Sequence, residues 1–174
     1  KTTLFRLIRG ETQLDGGEIA LPARARIGGV AQEVPSNEVS LLDTVLAADL
    51  ERAALLAEAE TATEPNRISE IQTRLADIGA WSAEARAAAI LKGMGFDQAQ
   101  QLMPCSAFSG GWRMRVALAA VLFSEPDYLL LDEPSEGIQP SIVAEIADRL
   151  AAHAQNRGLT LLIVEQNIDM VLRM

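Results

Sequence analysis

Apolar residues recur along this chain in two rhythms, one helical and one of continuous runs. Leu4, Phe5, Leu7 and Ile8 share a helical face, which predicts a helix over 2–9 ended by Gly10. Asp15-Gly16-Gly17 reads as a turn before a short strand over 18–21, and a second strand over 25–31 leads to Gln32. Pro35-Ser36-Asn37 breaks the chain. From about residue 40 to 94 the helical rhythm dominates. Leu42, Val45, Leu46 and Leu50 line one face, and Ile68, Ile71, Leu75 and Ile78 line another, with solvated charges such as Glu51, Glu58, Arg67 and Arg74 opposite. A polar loop follows through Pro104. Phe108-Ser109-Gly110-Gly111 then opens a helix with Val116, Ala117, Ala120 and Val121 inward.

The second rhythm falls at 128–131 and 159–164, two apolar runs of the fully buried strand kind. Between them Ile142, Ile146 and Leu150 define a helix that starts behind Pro140 and ends at Gly158. Strand, helix and strand in this order predict an α/β fold with a parallel sheet covered on both faces. The core comprises 1–36 and 106–174, and 37–105 is an inserted helical subdomain.

A length of 174 residues suits one ordinary domain, and 49% hydrophobic with 22% charged residues is a globular balance. A net charge of −9 and 4% aromatics exclude a direct electrostatic or stacking grip on DNA. The single cysteine, Cys105, and single histidine, His153, exclude an internal disulfide and a histidine metal cluster. No apolar run is long enough to span a bilayer. The chain opens on Lys1, not Met, at the start of a helix, and closes on Met174 inside another, which reads as truncation at both ends. A strand missing ahead of Lys1 would leave a central gap in the sheet.

Three short stretches carry chemistry. Lys1-Thr2-Thr3 fits the end of a phosphate-binding loop, with the lysine neutralising phosphates and Thr2 ligating Mg²⁺; taken alone, the triplet reads first as a helix start with a solvated lysine. Leu129-Leu130-Leu131-Asp132-Glu133-Pro134 is more specific. A buried strand ends in two carboxylates that point in different directions, so Asp132 can serve a Mg²⁺ shell while Glu133 polarises water. Two surface carboxylates capping a strand are the alternative. Ser109-Gly110-Gly111 before a helix offers a hydroxyl and a close backbone approach for an anion, or a plain helix cap.

Taken in order, these stretches resemble the ATP-binding cassette (ABC) ATPase family over essentially the whole chain. The resemblance implies a P-loop NTPase fold, ATP and Mg²⁺ as cofactors, and ATP hydrolysis. Lys1, Thr2 and Thr3 match the end of the Walker A loop, and Gln32 matches the glutamine that touches Mg²⁺ and the attacking water. Phe108-Ser109-Gly110-Gly111-Trp112 matches the family signature, with Trp112 where glutamine is commonest. Asp132 and Glu133 match the Walker B aspartate and the catalytic glutamate, and Gln166 stands at the position of the switch histidine. Thr2, Gln32 and Asp132 are thereby the metal set. The Walker A glycines are absent, so the chain alone is expected to be inactive. The family also implies a second cassette as partner, in the same chain or as a homodimer, with the signature of one closing on ATP held by the other.

Residues 1–134 resemble the first cassette of the F-type soluble ABC proteins, which act on ribosomes, through Ile27-Gly28-Gly29-Val30-Ala31-Gln32 and Phe108-Ser109-Gly110-Gly111-Trp112-Arg113-Met114-Arg115. Residues 135–174 resemble ATPase subunits of branched-chain amino acid or urea importers, through Ser135-Glu136-Gly137-Ile138-Gln139-Pro140 and Val164-Glu165-Gln166-Asn167. The first reading implies a cytoplasmic, ribosome-associated protein. The second implies a subunit on the inner face of the membrane, bound to a permease. A non-catalytic scaffold is a third reading, which the presence of Glu133 opposes.

Overall fold

The computed structural model describes residues 2–22, 25–30, 36–136 and 138–174, with the side chains of Thr2, His153, Asn156 and Arg157 outside that description. Helix α1 spans Thr2–Ile8, and strand β1 spans Ile27–Gly29. The helical region follows as α2 (Leu41–Leu46), α3 (Leu50–Thr61), α4 (Pro65–Asp77), α5 (Ala83–Gly93) and α6 (Gln98–Gln101). Helix α7 (Gly110–Phe123), strand β2 (Tyr128–Asp132), helix α8 (Pro140–Arg157), strand β3 (Thr160–Val164) and helix α9 (Ile168–Leu172) complete the chain.

The described strands form one parallel sheet in the order β1-β2-β3, with Gly28 beside Leu129 and Leu129 beside Leu161. Parallel pairing is what the apolar run of β2 and a crossover through α8 between β2 and β3 require. Leu129, Leu130 and Leu131 are fully buried at the centre of the sheet. β3 departs from the expected buried strand. It lies at an edge of the described sheet, and Thr160 and Leu162 are exposed. The three strands are contiguous, so the expected central gap is not found among them.

One hydrophobic cluster joins the two parts of the fold. Leu41, Val45, Ala87, Leu91 and Phe96 from the helical region pack with Val116, Leu122, Leu129, Ile146 and Leu150 from the core. A separate small cluster of Ile71, Leu75 and Ala80 holds the α3–α4 hairpin, which Arg67 and Arg74 clasp through Glu58 and Glu51. β1 is glycine-rich because space is short: a Cβ on Gly28 would meet Val121 at the end of α7, and one on Gly29 would meet the Arg9 guanidinium.

Three further expectations are corrected. The strand over 18–21 does not form, and those residues are irregular. Within the polar loop before Pro104 the short helix α6 appears, started by a capping box in which Asp97 and Gln100 exchange side-chain and backbone bonds. Helix α7 is turned relative to its expected face. Arg115, Val116, Leu118, Ala119, Leu122 and Phe123 are buried, whereas Ala117, Ala120 and Val121 are only half-buried. Among the described residues no helix is long and apolar enough to cross a membrane.

Candidate nucleotide and hydrolysis site

Because β2 and β3 run parallel with Asp132 beside Val164, their carboxyl ends reach one edge of the sheet, where ligands bind in open α/β folds. Asp132 closes β2 and is half-buried. Glu133 follows in a left-handed backbone conformation, φ 47°. For a residue with a side chain this conformation costs about 1–2 kcal/mol, so neighbouring contacts must hold it. Three are visible. The Glu133 N–H donates to Val164 O at 2.7 Å, the Gln166 Nε2 donates to Glu133 Oε1 at 2.9 Å, and Pro134 behind it is buried. The left-handed turn re-aims the Glu133 side chain away from the strand direction that Asp132 keeps. Two adjacent carboxylates are thus presented differently.

The loop after β3 supplies the second half of the edge. Gln166 is exposed and precedes α9, whose N-cap is Asn167, with its side chain accepting from Met170 N. Glu165 is half-buried and receives three backbone N–H groups. Gln166 N and Asn167 N donate to Oε1 at 2.7 and 2.9 Å, and Ser135 N donates to Oε2 at 3.0 Å. Burial pushes the Glu165 carboxyl upward. The bonds from the Asn167 backbone, from the hydroxyl and backbone of Ser135 and from the Gln166 backbone outweigh that and hold it below the usual glutamate range.

The signature stretch lies at the start of α7. Ser109 occupies the N-cap position, yet its side chain makes no capping bond. Gly110 faces open space, whereas a Cβ on Gly111 would meet Ile138 at 3.2 Å and Ile142 at 3.5 Å. The second glycine is therefore demanded by the approach of the α8 entry. Arg113 Nη1 donates to Phe108 O and to Ser36 Oγ, each at 3.2 Å, and ties the turn to residues following the Gln32 segment. No hydrogen bond among the described residues joins Ser109, Gly110 or Gly111 to Glu133 or Gln166.

Of the residues expected at the site, the structure brings Asp132, Glu133 and Gln166 to one edge. Lys1 and Gln32 lie outside the described residues, as does the side chain of Thr2; Thr3 is exposed in the first turn of α1. The donor set suits Mg²⁺, which usually binds through one or two carboxylates shared with substrate phosphates rather than in an all-protein cage. Asp132 offers such a carboxylate, and no group of three metal-binding side chains converges among the described residues. Sequence reasoning missed Glu165. The signal was present: the β3 run ends in Glu165-Gln166 just as the β2 run ends in Asp132-Glu133.

A parallel sheet with two adjacent carboxylates at a strand end and a glycine-started helix beside it defines an open α/β domain whose ligand edge lies at the carboxyl ends of its strands. The family model described as ABC transporter matches residues 1–136, and the chain belongs to that family of ATP-binding cassettes. It is 42% identical over 138 residues to the Probable ATP-binding protein YheS of Haemophilus influenzae, covering 78% of this chain and 22% of that protein. It is 34% identical over 182 residues to Protein GCN20 of Saccharomyces cerevisiae, covering 88% of this chain and 23% of the relative. ATP-binding cassette sub-family F member 2 of Mus musculus is 43% identical over 122 residues, 68% of this chain and 19% of that protein. The chain thus spans about a fifth of the length of these curated relatives. The sub-family F name of the mouse relative favours the F-type reading over the importer reading. Among solved structures, cbiO1 from Clostridium perfringens, part of the cbiONQ ABC transporter complex, superposes with a TM-score of 0.69 at 26% identity, covering 99% of this chain and 65% of that one. A dimeric ATP-binding cassette in a post-hydrolysis state, bound to ADP and Pi, gives a TM-score of 0.67 at 19% identity over 99% of this chain and 72% of that one, a likeness of fold.

Proposed function

We propose that this chain carries the hydrolytic core of an F-type ATP-binding cassette, in which ATP binding and hydrolysis drive the closing and opening of a cassette pair. The observation that carries the reading is the Glu133 turn. A carboxylate just after a strand whose three central leucines are buried is held in a costly left-handed backbone and met by the Gln166 amide. Backbone strain of this kind persists at functional sites because the surrounding contacts over-determine it. Glu133 is the general base that takes a proton from the attacking water, and Asp132 is the metal carboxylate. Gln166 donates from its amide to the carboxylate and can turn to a phosphate oxygen, without adding positive charge. Lys1, Thr2 and Thr3 serve the phosphates, Gln32 and Thr2 complete the metal set, and bound Mg²⁺ neutralises charge on the β- and γ-phosphates.

Ser109, Gly110 and Gly111 face the nucleotide of a second cassette, in the same chain or a homodimer. The Ser109 hydroxyl, which makes no capping bond, and the open Gly110 support this role. Residues 1–36 and 106–174 form the nucleotide-binding core and 37–105 the helical subdomain. The F-type relatives support a cytoplasmic protein that works on the ribosome. With a charge of −9, ribosome contact falls to segments other than an acidic surface of this chain. The test is Glu133→Gln in the complete protein. ATP binding should persist while turnover falls by about 10²–10⁴-fold, and the cassette pair should accumulate closed. Turnover at the unsubstituted rate removes Glu133 from catalysis.

A further inference from the structure

The edge of the sheet holds one ionisable group that the hydrolytic reading leaves without a task. Glu165 is neither a metal-side carboxylate nor a partner of Glu133. Its two oxygens are nevertheless divided between different loops. Oε1 accepts from Gln166 N and Asn167 N on its own segment, and Oε2 reaches across to Ser135 N, two residues after Glu133. The return path is the bond from Gln166 Nε2 to Glu133 Oε1 at 2.9 Å. Glu133, Pro134 and Ser135 on one side and Glu165 and Gln166 on the other therefore form a closed ring, with a third cross-link from Glu133 N to Val164 O.

We infer that Glu165 is a positioning residue: its carboxylate locks the 133–135 turn to the 165–167 segment and so sets where the Gln166 amide and the Glu133 carboxylate meet. The inference deepens the hydrolytic reading and rests on it for the effect on turnover, but the clamp itself is a property of this chain alone. Three physical points support it. A carboxylate accepting N–H bonds at both oxygens fixes two loops by charge-assisted bonds, which are stronger than neutral ones. The backbone bonds to Gln166 and Asn167 leave the Gln166 side chain as the moving part, so its amide can turn while its Cα stays. The left-handed Glu133 needs restraint from the loop that follows it as well as from the strand before it; on the far side the Glu136 N–H donates to Glu133 O at 3.0 Å within the turn, and the bond from Ser135 N to Glu165 is the described restraint that ties this turn to the 165–167 segment.

The clamp also predicts an asymmetry between two small changes. Glu165→Asp keeps a carboxylate that can accept from the amide two residues on, as aspartate does in an Asx turn. One methylene shorter, it loses reach to Ser135. Glu165→Gln keeps the length but turns one acceptor into an N–H₂ group facing backbone N–H donors.

Two measurements test this. The first is amide hydrogen exchange on the 174-residue chain. Glu165→Asp should deprotect Ser135 while Gln166 and Asn167 stay protected, and Glu165→Gln should deprotect one loop or both. Unchanged protection of Ser135 in both variants overturns the clamp, whatever the chain's activity. The second is steady-state ATP turnover in the complete protein. Both variants should lower kcat by about 10–100-fold, the scale of a misplaced catalytic group, with KM for ATP changed less than about twofold. Loss of kcat and rise of KM together, in proportion to a lowered melting temperature, would make Glu165 merely structural and overturn the inference. A deprotected Ser135 amide with unchanged kcat would overturn the positioning role. An unsubstituted protein that hydrolyses no ATP would overturn the hydrolytic reading and with it the effect on turnover; the exchange result would then decide the clamp alone.

Discussion

Arg115 is the most deeply buried charge among the described residues, and removing its partner should cost far more than removing an ordinary surface acid. The side chain is 2% exposed. Its Nη1 donates to Met94 O at 3.0 Å, its Nη2 to Glu145 Oε2 at 2.7 Å, and the guanidinium stacks 4.4 Å over the Trp112 ring. These bonds join α7 to the end of α5 and to α8, and so join the helical region to the core. Glu145→Ala would leave a buried guanidinium without its counter-charge. Breaking a fully buried pair in this way costs about 3–5 kcal/mol. The Glu145 side chain is 54% exposed, so water can enter its place, and the expected loss is reduced to about 2 kcal/mol. At this chain length that corresponds to a fall of about 4–8 °C in melting temperature. Arg115→Met removes the charge, fills much of the volume and leaves Met94 O short of a donor. In that background Glu145→Ala should cost under about 0.5 kcal/mol, because an exposed acid without a buried partner contributes little. Urea unfolding of the four proteins in the cycle measures the coupling. Equal costs for Glu145→Ala in both backgrounds would refute the account, since the loss would then come from α8 itself.

Gly110→Ala should leave stability within about 0.5 kcal/mol, because a methyl there meets open space, yet it should slow hydrolysis in the complete protein if the glycine faces a second cassette. Gly111→Ala should instead destabilise the chain by about 1 kcal/mol, as the new methyl presses on Ile138 and Ile142; chemical denaturation separates the two. Acid should loosen the α3–α4 hairpin. The Arg74 hydrogen bond, opposed by slight burial, holds Glu51 below the usual range, and the Arg67 hydrogen bond does the same for Glu58. A lowered folded value means that the stabilisation is complete above the unfolded glutamate pKa of about 4.3 and fades as the pH falls through the folded values. Amide protection in α3 and α4, taken relative to the intrinsic exchange rate at each pH, should therefore fall below about pH 4, and Arg74→Gln should flatten the Glu51 part of that dependence.

The parts of this fold that could be read from sequence are those where one physical explanation exhausts the pattern. A run such as Tyr128–Leu131 buries both faces only as a central parallel strand, and its abrupt end in Asp132-Glu133 places the carboxylates at the sheet edge. The same logic sent Gln166 to that edge, and its amide lies on Glu133. Where two explanations compete, the pattern misleads. Ile19 and Leu21 alternate behind a Gly-Gly turn as a strand would, but alternation forms no strand without a neighbour to pair with. Helix α7 is apolar almost all the way round from Val116 to Phe123, so periodicity cannot choose its inward face, and the charged Arg115 proves to be on it. Helix α6, four residues long, is too short for any period, although its Asp97–Gln100 capping box was there to be read. Glu165 is the most instructive case. Its place after an apolar strand does not name its partner, because water can satisfy a charge there. Backbone amides freed at the strand end decide it. Gln166, Asn167 and Ser135 all leave regular structure at that edge, and each needs an acceptor for its N–H. A single carboxylate between them satisfies all three and so becomes the joint of the site.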